Sequence, residues 1–101
     1  MRRYSCLVPM RPADRFAADF EGLINEWLEE SLPNDVDASA LNNDNGAIVV
    51  DVGLHADSET DAAMQALDLM SHAIEAIESS VNVRFYPIVE SEIDVRQLTP
   101  H

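Results

Sequence analysis

The sequence predicts an α+β domain: a ferredoxin-like βαββαβ sandwich, in which a four-stranded antiparallel sheet carries two helices packed on one face. Three observations predict it. Two stretches of helical apolar periodicity each follow a stretch that alternates like a strand, and a run of turn-forming residues links the two middle strands. A length of 101 residues suits a single core. Residues 1–101 therefore read as one domain, with 90–101 as a polar tail or an extra edge strand.

Arg3 to Val8 reads as the first strand. Pro9 and Pro12 follow, and Pro12 suits the first position of a helix because its φ is already fixed there. That helix is expected to run to about Ser31. Phe16, Phe20, Leu23, Ile24, Trp27 and Leu28 recur on one stripe, and Asp19, Glu26, Glu29 and Glu30 lie outside it. Pro33-Asn34 ends it.

Val36, Ala38 and Ala40 alternate with Asp35, Asp37 and Ser39 as a weak second strand, and residues 42 to 46 (Asn-Asn-Asp-Asn-Gly) provide a hairpin turn. The same run does not fit a calcium loop, because Leu41 or Val52 falls where a carboxylate ligand is needed. A stronger strand spans Ala47 to Leu54. Ile48, Val50, Val52 and Leu54 point toward the helices, whereas Val49, Asp51, Gly53 and His55 point away.

Ser58 is an expected N-cap, with Glu59 and Asp61 in the first turn where carboxylates complement the helix dipole. The second helix extends to about Ser80, with a buried stripe of Ala63, Met64, Leu67, Met70, Ile74 and Ile77. Its polar face carries Asp61, Gln65, Asp68, His72, Glu75 and Ser79. The last strand is expected over Val81 to Val89.

Charge is the most unusual feature of the composition. Nineteen acids face six bases, the net charge is −13, and every base is arginine. From Phe16 to Val83 there is no Arg or Lys. Such a field repels phosphate backbones and acidic lipids and favours a basic protein surface, which argues against direct nucleic-acid and membrane binding. A single cysteine, Cys6, excludes an intrachain disulfide and fits a reducing, cytoplasmic setting. Buried in a strand without a histidine partner, it reads as a small hydrophobe.

No glycine-rich phosphate loop, Cys-x-x-Cys, Gly-x-Ser-x-Gly or His-Glu-x-x-His motif occurs. The chain is therefore expected to act without cofactor or metal and without a catalytic residue set, as an acidic interaction protein. Its partner-binding face is assigned to Asp19, Glu26, Glu29, Glu30, Asp61, Asp68 and Glu75, and an inhibitor or nucleic-acid-mimic decoy is one form of it. The alternative is a small dimeric ligand-binding or enzymatic domain. Its pocket, on the open sheet face, would hold Asp51, His55, Arg84 and Tyr86 beside apolar Val49 and Ile88, with a second copy covering the face. Asp68, His72 and Glu75 share a helix face that could bind a divalent metal, but an Asp-His pair there is more simply a surface contact. A third reading assigns the acidity to a high-salt cytoplasm.

Overall fold

The computed structural model describes residues 2–13, 20–42, 48–80 and 84–98. It contains four strands, β1 (Arg2–Met10), β2 (Asp37–Asn42), β3 (Ile48–Ala56) and β4 (Asp94–Leu98). Two helices, α1 (Phe20–Ser31) and α2 (Glu59–Ser80), and a 3-10 turn (Glu90–Glu92) complete the order β1, α1, β2, β3, α2, 3-10 turn, β4. The sheet is antiparallel throughout, in the order β2-β3-β1-β4. The α+β class is thus observed, with a four-stranded antiparallel sheet and two helices.

Alternation in the two central strands divides the molecule. Tyr4, Cys6, Val8 and Met10 of β1 are buried, as are Ile48, Val50, Val52, Leu54 and Ala56 of β3. In the β1–β3 ladder Cys6 lies opposite Val52 and Val8 opposite Val50, so these side chains share one face. Ile24 and Leu28 of α1 and Ala62, Ala66, Met70, Ala73 and Ile77 of α2 cover that face and complete the core, with Leu23 and Trp27 half-buried beside them. Phe16 lies outside the described residues.

Ser58 caps α2 as its sequence indicates: its Oγ accepts from the Asp61 N–H at 3.1 Å, and its carbonyl accepts from Ala62 at 3.0 Å. Of the expected buried stripe of α2, Ala63, Met70 and Ile77 are buried, but the rest of the stripe is rotated toward the alanines. Met64 is 57% exposed, Leu67 and Ile74 are half-buried, and the alanines at 62, 66 and 73 take the interior. Alanine lets the helix approach the sheet closely, and the Cys6 thiol donates to the Ala62 carbonyl, with sulfur 3.7 Å from oxygen. A methionine at 62 or 66 would hold the helix away.

The edge of β2 is closed by a side chain. The Ala40 N–H donates to Asn25 Oδ1 at 2.9 Å, and Asn25 Nδ2 donates back to the Ala40 carbonyl at 3.4 Å. One amide side chain of α1 thereby does what a fifth strand would do at that point. The same contact fixes the polarity of the whole ladder. Backbone groups alternate in direction along an antiparallel strand. If those of Ala40 face outward, those of Val50 face β1, those of Val8 face β3, and those of Leu7 and Pro9 face β4. The Arg11 carbonyl, of the same parity, accepts from Tyr86 N–H on that flank at 2.8 Å.

This polarity explains where the fourth strand lies. The strand expected over 81–89 is not the sheet's fourth strand. Residues 81–83 lie outside the described residues, and 84–86 only bridge to Arg11–Ala13 around Pro12–Phe85. The ladder partner of β1 is 94–98, within the segment expected to be a tail or extra edge strand. Pro9 has no N–H to offer toward β4, and pairing stops at Leu7–Asp94. From that pair to Pro12–Phe85 takes five residues on one side and nine on the other, so four residues are looped out, through the 3-10 turn. Pro87, inside the expected strand, falls in this excursion.

The hairpin turn expected at 42–46 lies, beyond Asn42, outside the described residues, and the antiparallel pairing of Asn42 with Ile48 is consistent with it. Replacing Asn25 strips two partners from a residue that is only 2% exposed. Asn25→Ala is expected to cost about 1–3 kcal/mol, measured as a lower urea midpoint at unchanged slope.

Candidate functional site

Two faces carry the candidate residues: the sheet face opposite the helices, and the outer side of the helix layer. The open sheet face is built row by row from the ladder registers. Ser39, Asp51, Leu7 and Asp94 form one row across β2, β3, β1 and β4, and Asp37, Gly53, Ser5 and Arg96 form the next. His55, Arg3 and Leu98 begin a third.

Gly53 leaves a gap in the middle row, and the surrounding side chains shape it into an open depression of about 380 Å³. Arg3, Ser5, Asp37, Ser39, Asp51 and Leu98 line it. The Arg3 guanidinium reaches diagonally over β3 to Asp37 on β2, with Nη2 2.7 Å from Oδ2. A Cβ at position 53 would stand 3.4 Å from that nitrogen, so the guanidinium lies directly over the glycine, close to van der Waals contact with the space a side chain would fill. On the other side of the gap the Ser5 hydroxyl donates to Asp51 Oδ1 at 2.6 Å. The depression is therefore polar, with one guanidinium and two carboxylates within it, and its ion pair is exposed enough to be worth only a few tenths of a kcal/mol.

The pocket expected on this face is only partly assembled. Asp51 lines the depression, and Val49 is half-buried on the same face. His55 is exposed four residues away along β3, opposite Arg3. Arg84 and Tyr86 do not join them. They flank the Pro12–Phe85 bridge, five residues along the chain from Leu7, which lies opposite Asp51, or roughly 17 Å at the rise of a strand. Arg84 therefore does not pair with Asp51. Ile88 is half-buried in the looped-out segment, where it packs against the core. The arginine that serves the depression is Arg3, marked in the sequence only by the alternation of Arg3 and Ser5 with buried Tyr4 and Cys6.

Of the acidic set, Glu26, Glu29, Glu30, Asp61, Asp68 and Glu75 are all exposed, while Asp19 lies outside the described residues. Asp61 accepts from Gln65 Nε2 at 3.3 Å. The His72 ring nitrogen Nδ1 stands 2.8 Å from the Asp68 carbonyl oxygen and 3.8 Å from its carboxylate, an exposed contact within one helix. Among the described residues no group of three His, Cys, Asp or Glu side chains is placed to hold a metal ion.

The ion pairs between described arginines and carboxylates, Arg3–Asp37, Arg11–Glu92 and Arg96–Asp94, all lie on the sheet or its flank. Neither helix has a base in its last turn. The helix layer thus presents carboxylates that no described arginine neutralises. Glu78 is an exception in role: its Oε2 accepts from the Phe85 N–H at 3.0 Å and ties the 84–86 segment to α2. No described helix is long and apolar enough to cross a membrane.

Cys6 lies beneath the sheet and is fully buried. Burial, and secondarily the charge of Asp51, pushes its thiol up to about 11 from an ordinary value of 9. It is a packing residue that donates to Ala62, not a nucleophile. No protein-family model, curated protein or solved structure gives a significant match to this chain, and its function is read from these surfaces alone.

Two pKa units mean about 100-fold less thiolate at a given pH below both values. Alkylation of Cys6 by iodoacetamide at pH 8 is expected to be at least that much slower in the folded protein than in urea. The sign for stability follows. A thiol raised in the folded state favours folding below pH 9, and that contribution is lost as the pH rises through about 11. Cys6→Ala should flatten this alkaline decline in thermal-melt midpoints.

Proposed function

We propose that this chain is a non-catalytic, cytoplasmic interaction protein of ferredoxin-like architecture whose acidic helix layer docks on a basic surface of a partner protein. The observation that carries the reading is the exposure of Glu26, Glu29, Glu30, Asp61, Asp68 and Glu75 on two helices, with no described arginine beside them. Carboxylates spaced along helices present charge at intervals that a nucleic-acid-binding surface accepts, so an inhibitor acting as a phosphate mimic is the form this chemistry favours. Like charges held close together also cost stability, and binding a cationic surface relieves that cost.

A second reading has one observation in its favour, the depression around Gly53. In that reading the chain binds a small polar ligand between Arg3, Ser5 and Asp51, as a dimeric ligand-binding or enzymatic domain with its open sheet face covered by a second copy. The two readings part on which residues matter.

Under the acidic-docking reading, a basic protein is captured from native lysate at low salt and released at high salt. Lysine substitutions at Glu26, Glu29, Asp68 and Glu75 reduce capture by tenfold or more, whereas Asp51→Asn leaves it unchanged. Loss of capture with Asp51→Asn alone moves the function to the sheet face. No capture at any salt, together with stability that climbs steadily toward molar salt, overturns the docking reading and assigns the acidity to a saline interior.

A further inference from the structure

We propose that the outer edge of β4 is a self-association surface, on which a second copy of this chain adds its own β4 antiparallel and joins the two sheets into one of eight strands. Asp94, Arg96 and Leu98 lie opposite Leu7, Ser5 and Arg3, whose backbone groups face β4. In β4 the backbone groups of Asp94, Arg96 and Leu98 therefore face β1, and those of Val95 and Gln97 face outward. No hydrogen bond to another described residue occupies these outward groups. They are the unfilled donors and acceptors of an edge strand, and such groups template pairing.

The opposite edge of the sheet is closed at its centre, because Asn25 fills both backbone groups of Ala40. Antiparallel pairing of β4 with β4 uses the same edge in both copies, so the association closes as a two-fold dimer and does not propagate into a filament.

Charge selects both the occupant and the register. With Val95 on the two-fold axis, the Val95 pair exchanges two backbone hydrogen bonds, and Asp94 of each copy lies directly opposite Arg96 of the other. Both residues are exposed on the open face and already meet within one chain, Arg96 Nη2 lying 3.1 Å from Asp94 Oδ2. Two reciprocal Asp–Arg pairs then flank the axis. Shifting the register so that Arg96 lies on the axis places like charges opposite each other instead. This flank also suits a chain of net charge −13, because here arginine and aspartate alternate and the acidic helix layers stand away on the other face. The second copy thus fits the edge by hydrogen-bond parity and by charge.

A charge swap distributed over two chains tests the proposal. The unmodified protein is expected to sediment at twice 11.2 kDa at concentrations where Asp94→Arg and Arg96→Asp, each alone, sediment as monomers, with dissociation constants raised at least tenfold. Mixing the two variants restores a dimer, because each chain then supplies the charge the other lacks, although neither regains its internal pair. Amide exchange at Val95 and Gln97 slows as the concentration of unmodified protein rises. Circular dichroism of each variant verifies the fold, and Gln97→Pro, which removes an outward N–H from an exposed position, serves if a charge variant unfolds. A monomer at all concentrations overturns the proposal. So does a dimer that survives both single substitutions, or rapid exchange at Val95 and Gln97 at every concentration.

Discussion

The nine-pair ladder between β1 and β3 is the constraint on which the rest of the molecule depends. Its inward side chains, from Tyr4 to Met10 and from Ile48 to Ala56, contribute nine of the buried core residues, none of them charged. Burying a row of this kind on one face stabilises the pairing and makes its register unambiguous, since a slip of one residue would turn Cys6, Val8, Val50 and Val52 toward water. Once that register is set, everything outside it is positioned by alternation. The open face receives Arg3, Ser5, Asp51 and Gly53, and the helices settle over the apolar side. The alanines of α2 let the helix backbone come within reach of the Cys6 thiol.

The two edges of this sheet are handled by different means. Asn25 closes β2 with a side chain whose two polar atoms match one residue's N–H and C=O. At the other edge Pro9 removes a donor and splits the partner of β1 into two pieces, Arg84–Tyr86 and β4, with a 3-10 turn between them. The split also brings α2 into the arrangement, since Glu78 bonds the Phe85 N–H. One missing proton on a backbone nitrogen thus accounts for where β4 begins. Charged residues at the edge, Asp94 and Arg96, blunt indiscriminate pairing while still permitting a register in which unlike charges meet.

Much of this was legible in the sequence where the signal is local. Alternation in β3, the Ser58 cap and the acidic outer faces of both helices depend on residues within one or two turns of each other, and the structure places them as the periodicity indicates. The fourth strand was not legible. Val81 to Val89 has a strand's composition, and what ends its pairing is Pro9, more than seventy residues away. The stripe of α2 was misjudged for a related reason. Hydropathy favours Met64 over Ala62 or Ala66, but close packing of the helix on the sheet favours the smaller side chain. The depression was missed because its defining feature is a glycine, which carries no chemistry of its own. Arg84 was assigned to the open face because the expected strand would have placed it there.

The distribution of charge follows from the same architecture. All six bases are arginines, and the three seen in ion pairs with carboxylates lie on the sheet or its flank, where a planar guanidinium can reach across neighbouring strands as Arg3 does over Gly53. The helices are left with carboxylates alone. Their dipoles are helped at the start of α2 by Glu59 and Asp61 and opposed near its end by Glu75 and Glu78. A chain selected for stability alone would gain from a lysine or arginine in those last turns. That neither helix has one means the outer layer retains a strong negative field at some cost to folding, and a field retained at that cost is the physical basis for a cationic partner.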